Sequence, residues 1–331
     1  CMRTARIKVQ ADEGEAMYHC MTRTVNGERL FDDQAKEVLR KQLWQIADYC
    51  GVQIVTYAIL SNHFHVLLTV PQRQALSDDE LLRRYRILYP KPTRYQQAHH
   101  EVLVKLLKDS PEDPEAVAWR QRQLALMGDV SQFMKLVKQR FSVWFNRSHG
   151  RYGTLWSERF KSVLVEGNGR VLTAMSAYID LNAVRAGLVA DPKDYRFCGY
   201  AEAVAGNPAA RTGLARVTEG RDWRQVQAGY RQVLFGTGAG PREQGGGIAP
   251  EELQKVMAAK GKLPLHTVLR CRVRYFTDGA VLGSQAFVAA HLETYRRTQG
   301  RRERTAPRPL PDLTDWGDLN TLRGLRKNTF G

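Results

Sequence analysis

The stretch "VQIVTYAILSNHFHVLLTV", residues 52–70, constrains the fold of this chain more than any other. Its two halves are rich in β-branched and aromatic residues, Ser61 and Asn62 separate them, and a proline follows the second half. The pattern predicts a hairpin or a kinked strand. Because side chains two residues apart on a strand point to the same side, His63 and His65 face one site while Phe64 turns to the core.

The histidine pair permits two interpretations. Neutral imidazoles on one face of a strand can hold a divalent metal ion. Taken alone, however, two histidines on a strand are more often solvated or hydrogen-bonded than bound to a metal. The rest of the chain must decide between these interpretations.

The segments around the predicted hairpin have strand and helix patterns in turn. We predict a strand at 16–31 with a turn at Asn26 and Gly27, a helix at 32–50, a helical insertion at about 72–126, an amphipathic helix at 130–150, a strand from residue 151 and a helix at 171–192 that stops at Gly187. The composition changes near residue 200, where we place a domain boundary. A helical segment with a linker follows at 201–248, with a flexible joint at 236–247, and then a small helical C-terminal region with a basic tail at 249–331.

The charge balance predicts a polyanionic partner. The chain has 50 Lys and Arg residues against 34 Asp and Glu residues, a net charge of +16. Nucleic acid is favoured over an anionic membrane, because we find no apolar run of membrane-spanning length and no signal-peptide pattern. We therefore expect a cytoplasmic protein. Its five cysteines contain no CxxC pair, which argues against a disulfide framework and a zinc cluster.

The helix predicted at 171–192 carries a second group of polar side chains. Tyr178 and Asn182 are four residues apart and so share one helix face, with Arg185 close to the same stripe. Each residue also has an ordinary explanation: a tyrosine at the edge of the core, a surface amide, and an arginine favoured near a helix C-terminus.

Three motifs together, "SNHFHVLL", "FNRSHGRYGTLWSERFKS" and "AYIDLNAVRAGLV", resemble the REP-associated tyrosine transposases, which belong to the HUH single-strand DNA endonucleases. The resemblance covers about residues 5–200. It implies an α+β fold of the HUH endonuclease type (ferredoxin/RRM-like), with a central antiparallel sheet flanked by helices, in a transposase domain at 1–200. It also implies that His63, His65 and Asn182 are metal ligands and that Tyr178 is the nucleophile.

The chain departs from many relatives at two positions within these motifs. Ala183 stands in place of a proline, and Asp180 stands in place of a histidine. Neither change removes a catalytic atom, but Asp180 could alter metal affinity or the placement of the DNA strand.

The resemblance implies an enzyme dependent on Mg²⁺ or Mn²⁺ that cleaves single-stranded DNA near a REP-like hairpin through a 5′-phosphotyrosine intermediate and rejoins the strands. Its partner would be single-stranded or hairpin DNA, it would be associated with the bacterial nucleoid, and a homodimer is compatible with the sequence. Two alternatives stay open: a replication or conjugation nickase, and a non-catalytic DNA-binding regulator that kept the fold.

Basic and aromatic residues are interleaved at 147–161. They can neutralise phosphates and stack on bases. The predicted DNA-binding residues are Arg147, Arg151, Tyr152, Trp156, Arg159, Lys161 and, from the later helix, Arg185. The alternative is an edge strand guarded by Lys and Arg with its aromatic residues in the core. Two C-terminal features, the basic run at 295–304 and a helical pair around "TDGAVLGS", suit either a DNA-binding role or an ordinary surface role.

Overall fold

The computed structural model describes residues 6–9, 12–236, 269, 275–299, 306–310 and 319–322, and in them a sheet is covered by helices. The strands are β1 (Ala16–Arg23), β2 (Gln53–Ile59), β3 (His63–Val70), β4 (Lys161–Val165), β5 (Val281–Gly283), β6 (Arg308–Pro309) and β7 (Asn320–Thr321). The helices are α1 (Asp33–Cys50), α2 (Asp78–Ile87), α3 (Arg94–Asp109), α4 (Pro114–Leu124), α5 (Val130–Ser148), α6 (Gly169–Asp180), α7 (Asn182–Arg185), α8 (Gly199–Val204), α9 (Pro208–Ala215), α10 (Trp223–Phe235), α11 (Tyr275–Asp278), α12 (Gln285–Ala290) and α13 (Leu292–Gln299). The predicted α+β class, with a central sheet flanked by helices, is confirmed.

The sheet has the strand order β2-β3-β1-β4-β5-β7-β6. Its first four strands are antiparallel neighbours, as predicted. β5 instead lies parallel to β4. Parallel neighbours need a long crossover connection, and the chain between residues 166 and 280 supplies it. The C-terminal region therefore extends the sheet in addition to forming helices, and β5 lies within the stretch "TDGAVLGS", around which we predicted only a helical pair.

The hairpin predicted at 52–70 is present. β2 and β3 pair antiparallel across Ser61 and Asn62, and the Leu60 N–H donates to the His63 carbonyl over 2.8 Å. On its other edge β3 pairs with β1, which places His65 opposite Met21. Side chains of β1 on this face of the sheet thus lie beside the histidine pair.

The two faces of the sheet carry different helices. On one face, Phe64 packs against Trp156, and Trp44 of α1 contacts Tyr57 of β2. On the opposite face, the Thr56 hydroxyl donates to the carboxylate of Asp180 in α6 over 2.8 Å. Because side chains alternate between faces, α6 lies on the same face as His63 and His65.

Most of the predicted helices are confirmed. Helices α2, α3 and α4 form the insertion at 72–126, and α5 matches the prediction at 130–150. The helix predicted at 171–192 is interrupted at Leu181, between α6 and α7, and its chain reaches a left-handed Gly187 with φ 67°, as predicted.

The strand predicted from residue 151 is wrong for its first half. Residues 151–160 are irregular apart from a bridge between Trp156 and Thr24, and β4 begins at Lys161. Two glycines, Gly150 and Gly153, adopt positive φ values of 58° and 87°, which a strand does not allow.

Residues beyond the predicted boundary at 200 pack onto the sheet and α6. The Tyr230 hydroxyl of α10 lies 2.6 Å from the Asp180 carboxylate, and Arg216, directly after α9, donates to the Gln53 side chain of β2 over 3.2 Å. The division into domains stays a prediction. The predicted joint at 236–247 lies outside the described residues except for Gly236. The basic run at 295–304 is described only up to Gln299, where α13 ends.

Candidate active site

The histidine pair lies on β3 where the sheet meets α6. His65 is only 2% exposed, and His63 is partly buried. Their ring centroids are 5.2 Å apart. The structure therefore brings the two predicted ligands to one place on one face.

A third histidine, His19 of β1, joins this pair. Its Nε2 lies 2.8 Å from Nδ1 of His65, and the two rings are nearly coplanar, with planes inclined by 16° and centroids 5.1 Å apart. The sequence reasoning missed His19. The predicted strand at 16–31 contains His19, but the sequence does not indicate that this strand pairs with the strand of His63 and His65.

Tyr178 projects from α6 towards the histidines. Its ring centroid is 6.2 Å from that of His65 and 6.4 Å from that of His19, in edge-on arrangements. Tyr178 is 2% exposed. The predicted nucleophile and the predicted metal ligands thus come together, although more than a hundred residues separate them in the chain.

Arg185 lies over Tyr178. Its guanidinium carbon is 4.1 Å from the centre of the phenol ring, and its Nη2 donates to the Tyr178 carbonyl over 2.5 Å. Its Nη1 donates to the carbonyl of Leu269 over 2.6 Å. The DNA-binding role predicted for Arg185 stays a prediction, and the structure places its guanidinium over the phenol ring of Tyr178.

Asn182, the third predicted ligand, is 7% exposed and follows Tyr178 by one helical turn. Its amide nitrogen donates to the carbonyls of Tyr178 and Ile179 over 3.2 and 3.0 Å. These bonds orient the side chain, and its amide oxygen is the atom with which it could act as a ligand.

Phe276 of α11 closes the site from the C-terminal region. Its ring centroid is 4.8 Å from that of Tyr178, and its carbonyl lies 2.7 Å from Nδ1 of His19. The adjacent Asp278 forms an ion pair with Lys161 over 3.1 Å. No sequence pattern predicts that this segment meets the motifs.

Burial keeps the inner histidines neutral. It lowers the pKa of His19 to about 4, and the nearby Arg185 guanidinium adds to this effect. Burial also holds the pKa of His65 well below its usual range, and the neighbouring His19 and His63 lower it further. Neutral imidazole is the form that binds a metal ion.

The protonation of His63 suits a metal ligand as well. The Asn62 amide nitrogen donates to the Gly27 carbonyl over 2.9 Å, which directs the amide oxygen to Nδ1 of His63 at 2.6 Å. Because an amide oxygen only accepts, Nδ1 of His63 carries a proton, and in the neutral ring the lone pair is then on Nε2. Among the described residues, no three His, Cys, Asp or Glu side chains form a metal-binding group, so a metal ion held by His63 and His65 would need a donor of another type, such as the Asn182 amide oxygen.

The predicted DNA-binding residues at 147–161 differ in their exposure to solvent. Arg147, Tyr152, Arg159 and Lys161 are exposed, Tyr152 at 94%, whereas Arg151 is partly buried and lies 3.6 Å from Glu28. Trp156 instead lies in the core at 8% exposure, against Phe31, Phe64 and Phe141. Its indole N–H donates to the Ser142 hydroxyl over 2.8 Å. In this structure its ring offers no open face to a base, and the alternative of a core aromatic applies to it.

Asp180 is one of the two positions at which the chain departs from the resembled family, and its buried carboxylate has three hydrogen-bonding partners. Its carboxylate accepts from Thr56 and from the Tyr200 N–H, and it lies 2.6 Å from the Tyr230 hydroxyl. Burial raises its pKa to about 7, although these hydrogen bonds oppose the shift. Asp180 thus fastens α6 to β2, α8 and α10.

Comparison with known proteins agrees with the histidine motif. Residues 14–80 match the family model described as "Transposase IS200 like". This segment is similar to the IS200-like transposases. The match confirms the predicted resemblance to a transposase family over the strands that carry His19, His63 and His65, and it ends before Tyr178.

A solved structure of a REP-associated tyrosine transposase bound to a REP hairpin aligns with 63% of this chain and 90% of its own, with 14% identity and a TM-score of 0.39. A search of curated proteins finds no match. In the described part of the chain, no helix is long and apolar enough to cross a membrane.

Proposed function

We propose that this protein is a metal-dependent single-strand DNA endonuclease and strand transferase, a transposase whose nucleophile is Tyr178. The observation that carries the proposal is the meeting of Tyr178 with His19 of β1 and His65 of β3, at ring-centroid distances of 6.4 and 6.2 Å respectively. The similarity of residues 14–80 to IS200-like transposases supports the same reaction class.

The proposed reaction is a transesterification. The Tyr178 oxygen loses its proton and attacks the phosphorus, forming a tyrosyl-phosphate bond, while the bond from phosphorus to the 3′-oxygen breaks and that oxygen takes up a proton. The products are a 5′-phosphotyrosine and a free 3′-hydroxyl. Attack by a 3′-hydroxyl on the phosphotyrosine reverses these changes, so strands can be rejoined without ATP.

The side chains around Tyr178 would have separate parts in this reaction. Arg185 holds the backbone of Tyr178 and places a permanent positive charge over the ring, where negative charge develops as the phenol loses its proton. Mg²⁺ or Mn²⁺, held by His63 and His65 with the Asn182 amide oxygen as third ligand, would supply Lewis-acid stabilisation of the charge on the phosphate oxygens.

The proposed substrate is single-stranded DNA next to a hairpin. The net charge of +16 suits a polyanion, and the exposed cations Arg147, Arg159 and Lys161 with the exposed Tyr152 offer phosphate contacts and a stacking face. The hairpin, and REP-like palindromes in particular, enter the proposal through the resemblance of the sequence motifs.

A second candidate is a non-catalytic DNA-binding regulator. The enclosure of Tyr178, at 2% exposure beneath Phe276 and Arg185, favours it, because a nucleophile must reach the scissile phosphate. Under this alternative the protein binds hairpin DNA without forming a covalent bond to it.

Covalent trapping separates the two candidates. The protein is incubated with labelled hairpin DNA carrying single-stranded flanks, with Mn²⁺ or with EDTA, and analysed on a denaturing gel. We expect a Mn²⁺-dependent adduct that is lost in Tyr178→Phe and His63→Ala and retained in Tyr152→Phe, the matched exposed tyrosine. Tight binding without an adduct across a panel of hairpins would favour the regulator.

A further inference from the structure

His19 connects the C-terminal region to the inner histidine of the motif. Its Nδ1 lies 2.7 Å from the Phe276 carbonyl oxygen, and its Nε2 lies 2.8 Å from Nδ1 of His65. A carbonyl oxygen has no proton to give, so Nδ1 of His19 must be the donor in the first bond.

The first bond determines the direction of the second. A neutral imidazole has one N–H, and His19 uses it towards Phe276, so its Nε2 is an acceptor. The short contact with His65 then requires the proton to be on Nδ1 of His65. The lone pair of His65 is consequently on Nε2, the nitrogen remote from His19.

The opposite arrangement needs a charged His19. A doubly protonated ring could donate to both neighbours, and His65 would then carry its proton on Nε2, where it cannot bind a metal. His19 and His65 are 1% and 2% exposed, and Arg185 adds positive charge nearby. Placing a further positive charge there is unfavourable, because burial removes the solvation of an ion.

We propose that His19 is a positioning residue that, together with the Phe276 carbonyl, holds His65 in the Nδ1–H form and so directs its Nε2 lone pair to a divalent metal ion. The inference rests on the proposed function. The pair formed by Asn62 and His63 is analogous, because Nδ1 of His63 also has an acceptor, in this case the Asn62 amide oxygen. Histidine ligands in metal sites commonly have such a partner on the ring nitrogen that does not bind the metal.

The proposal assigns a role to two parts of the chain that lie outside the histidine motif. β1 would supply the side chain that orients His65, and the backbone at Phe276 would orient His19 in turn. The C-terminal region would then contribute a backbone carbonyl to the active site. A sequence motif cannot reveal this contribution, because every residue has a backbone carbonyl.

Histidine tautomers can be read directly in the metal-free protein. The full chain is labelled with ¹⁵N-histidine, and long-range ¹H–¹⁵N correlation spectra are recorded near pH 7 for the wild type and for His19→Phe and His19→Gln. His65→Gln assigns the His65 signals. We expect His65 in the Nδ1–H form in the wild type and in His19→Gln, whose amide can accept from His65 and donate to Phe276, and a shift towards the Nε2–H form in His19→Phe.

Mn²⁺ binding by calorimetry gives the second measurement. We expect His19→Phe to weaken binding by about 10- to 100-fold, His19→Gln to retain most of the affinity, and His99→Phe, at an exposed position in the insertion, to have no effect. An Nε2–H His65 in the wild type, or a His19→Phe variant with unchanged tautomer and affinity, would overturn the proposal.

The two measurements also separate this proposal from the proposed function. A wild type that keeps the Nδ1–H form of His65 but binds no Mn²⁺ would reject the metal chemistry and still support the positioning of His65 by His19. Circular dichroism checks the folding of His19→Phe, and the wild-type spectrum decides the tautomer even if that variant unfolds.

Discussion

The ring of Phe276 covers the ring of Tyr178 with their centroids 4.8 Å apart and their planes inclined by 67°. Phe276 is fully buried and belongs to a segment almost a hundred residues beyond Tyr178. A DNA phosphate that reaches the phenol oxygen must therefore approach a site that this segment helps to enclose.

Replacing Phe276 with alanine is expected to make Tyr178 more accessible. Removing the ring opens space beside the phenol, so the covalent adduct should form several-fold faster on a hairpin substrate. The same change should destabilise the fold by about 3–5 kcal/mol, because it leaves a cavity in the core. Adduct kinetics and urea unfolding measure the two effects, and Phe276→Leu is the control that keeps the space filled. A slower reaction in Phe276→Ala with intact folding would contradict this expectation.

Asp180 is expected to make stability decrease as pH rises. Burial raises its pKa to about 7 in the folded protein, whereas an unfolded aspartate has a pKa of about 3.9. Between these values the folded state holds a proton that the unfolded state has lost, so this stabilising contribution is complete below about pH 4 and disappears as pH rises through 7. The full difference corresponds to at most about 4 kcal/mol.

Asp180→Asn isolates this effect, since an amide can accept from Thr56 and Tyr200 and donate to the Tyr230 oxygen without a titrating proton. In urea unfolding at pH 5 to 8, the difference in free energy of unfolding between variant and wild type should increase in favour of the variant. The buried histidines titrate in both proteins and cancel in this difference. A difference that does not change with pH would refute the assignment.

Arg185→Lys is expected to slow adduct formation although it keeps the positive charge. A lysine ammonium lacks the planar fork with which Arg185 bonds the carbonyls of Tyr178 and Leu269 at once. Loss of this positioning should reduce the single-turnover rate by about 10- to 100-fold. DNA affinity should change little. The matched control is Arg159→Lys at an exposed position, and equal rates for both variants would remove Arg185 from the positioning of the nucleophile.

Tyr152 and Trp156 are expected to respond in opposite ways. Tyr152→Ala should leave stability unchanged and weaken single-stranded DNA binding by about 1–3 kcal/mol if the exposed ring stacks on a base. Trp156→Ala should cost about 3–5 kcal/mol of folding stability, because its ring fills the core between Phe64 and Phe141. Fluorescence anisotropy with labelled DNA and thermal unfolding distinguish these outcomes. A Trp156→Ala protein of normal stability with impaired binding would restore the stacking role that we first predicted for it.

The local features of the site follow from short-range patterns in the sequence. Strand periodicity places His63 and His65 on one face and Phe64 on the other, and helical spacing predicts that Asn182 follows Tyr178 by one turn. These relationships depend on backbone geometry over a few residues, which is why the hairpin, most of the helices and the stop at Gly187 could be predicted.

Tertiary structure decided which distant segments meet. The pairing of β1 with β3 brings His19 to His65. β5 pairs with β4, and the helix directly before β5 carries Phe276, whose ring packs against Tyr178. The burial of Trp156 depends in the same way on contacts across the whole core. Strand order and register follow from the combined packing of many side chains, so the local periods of 2 and 3.6 residues could not reveal these contacts.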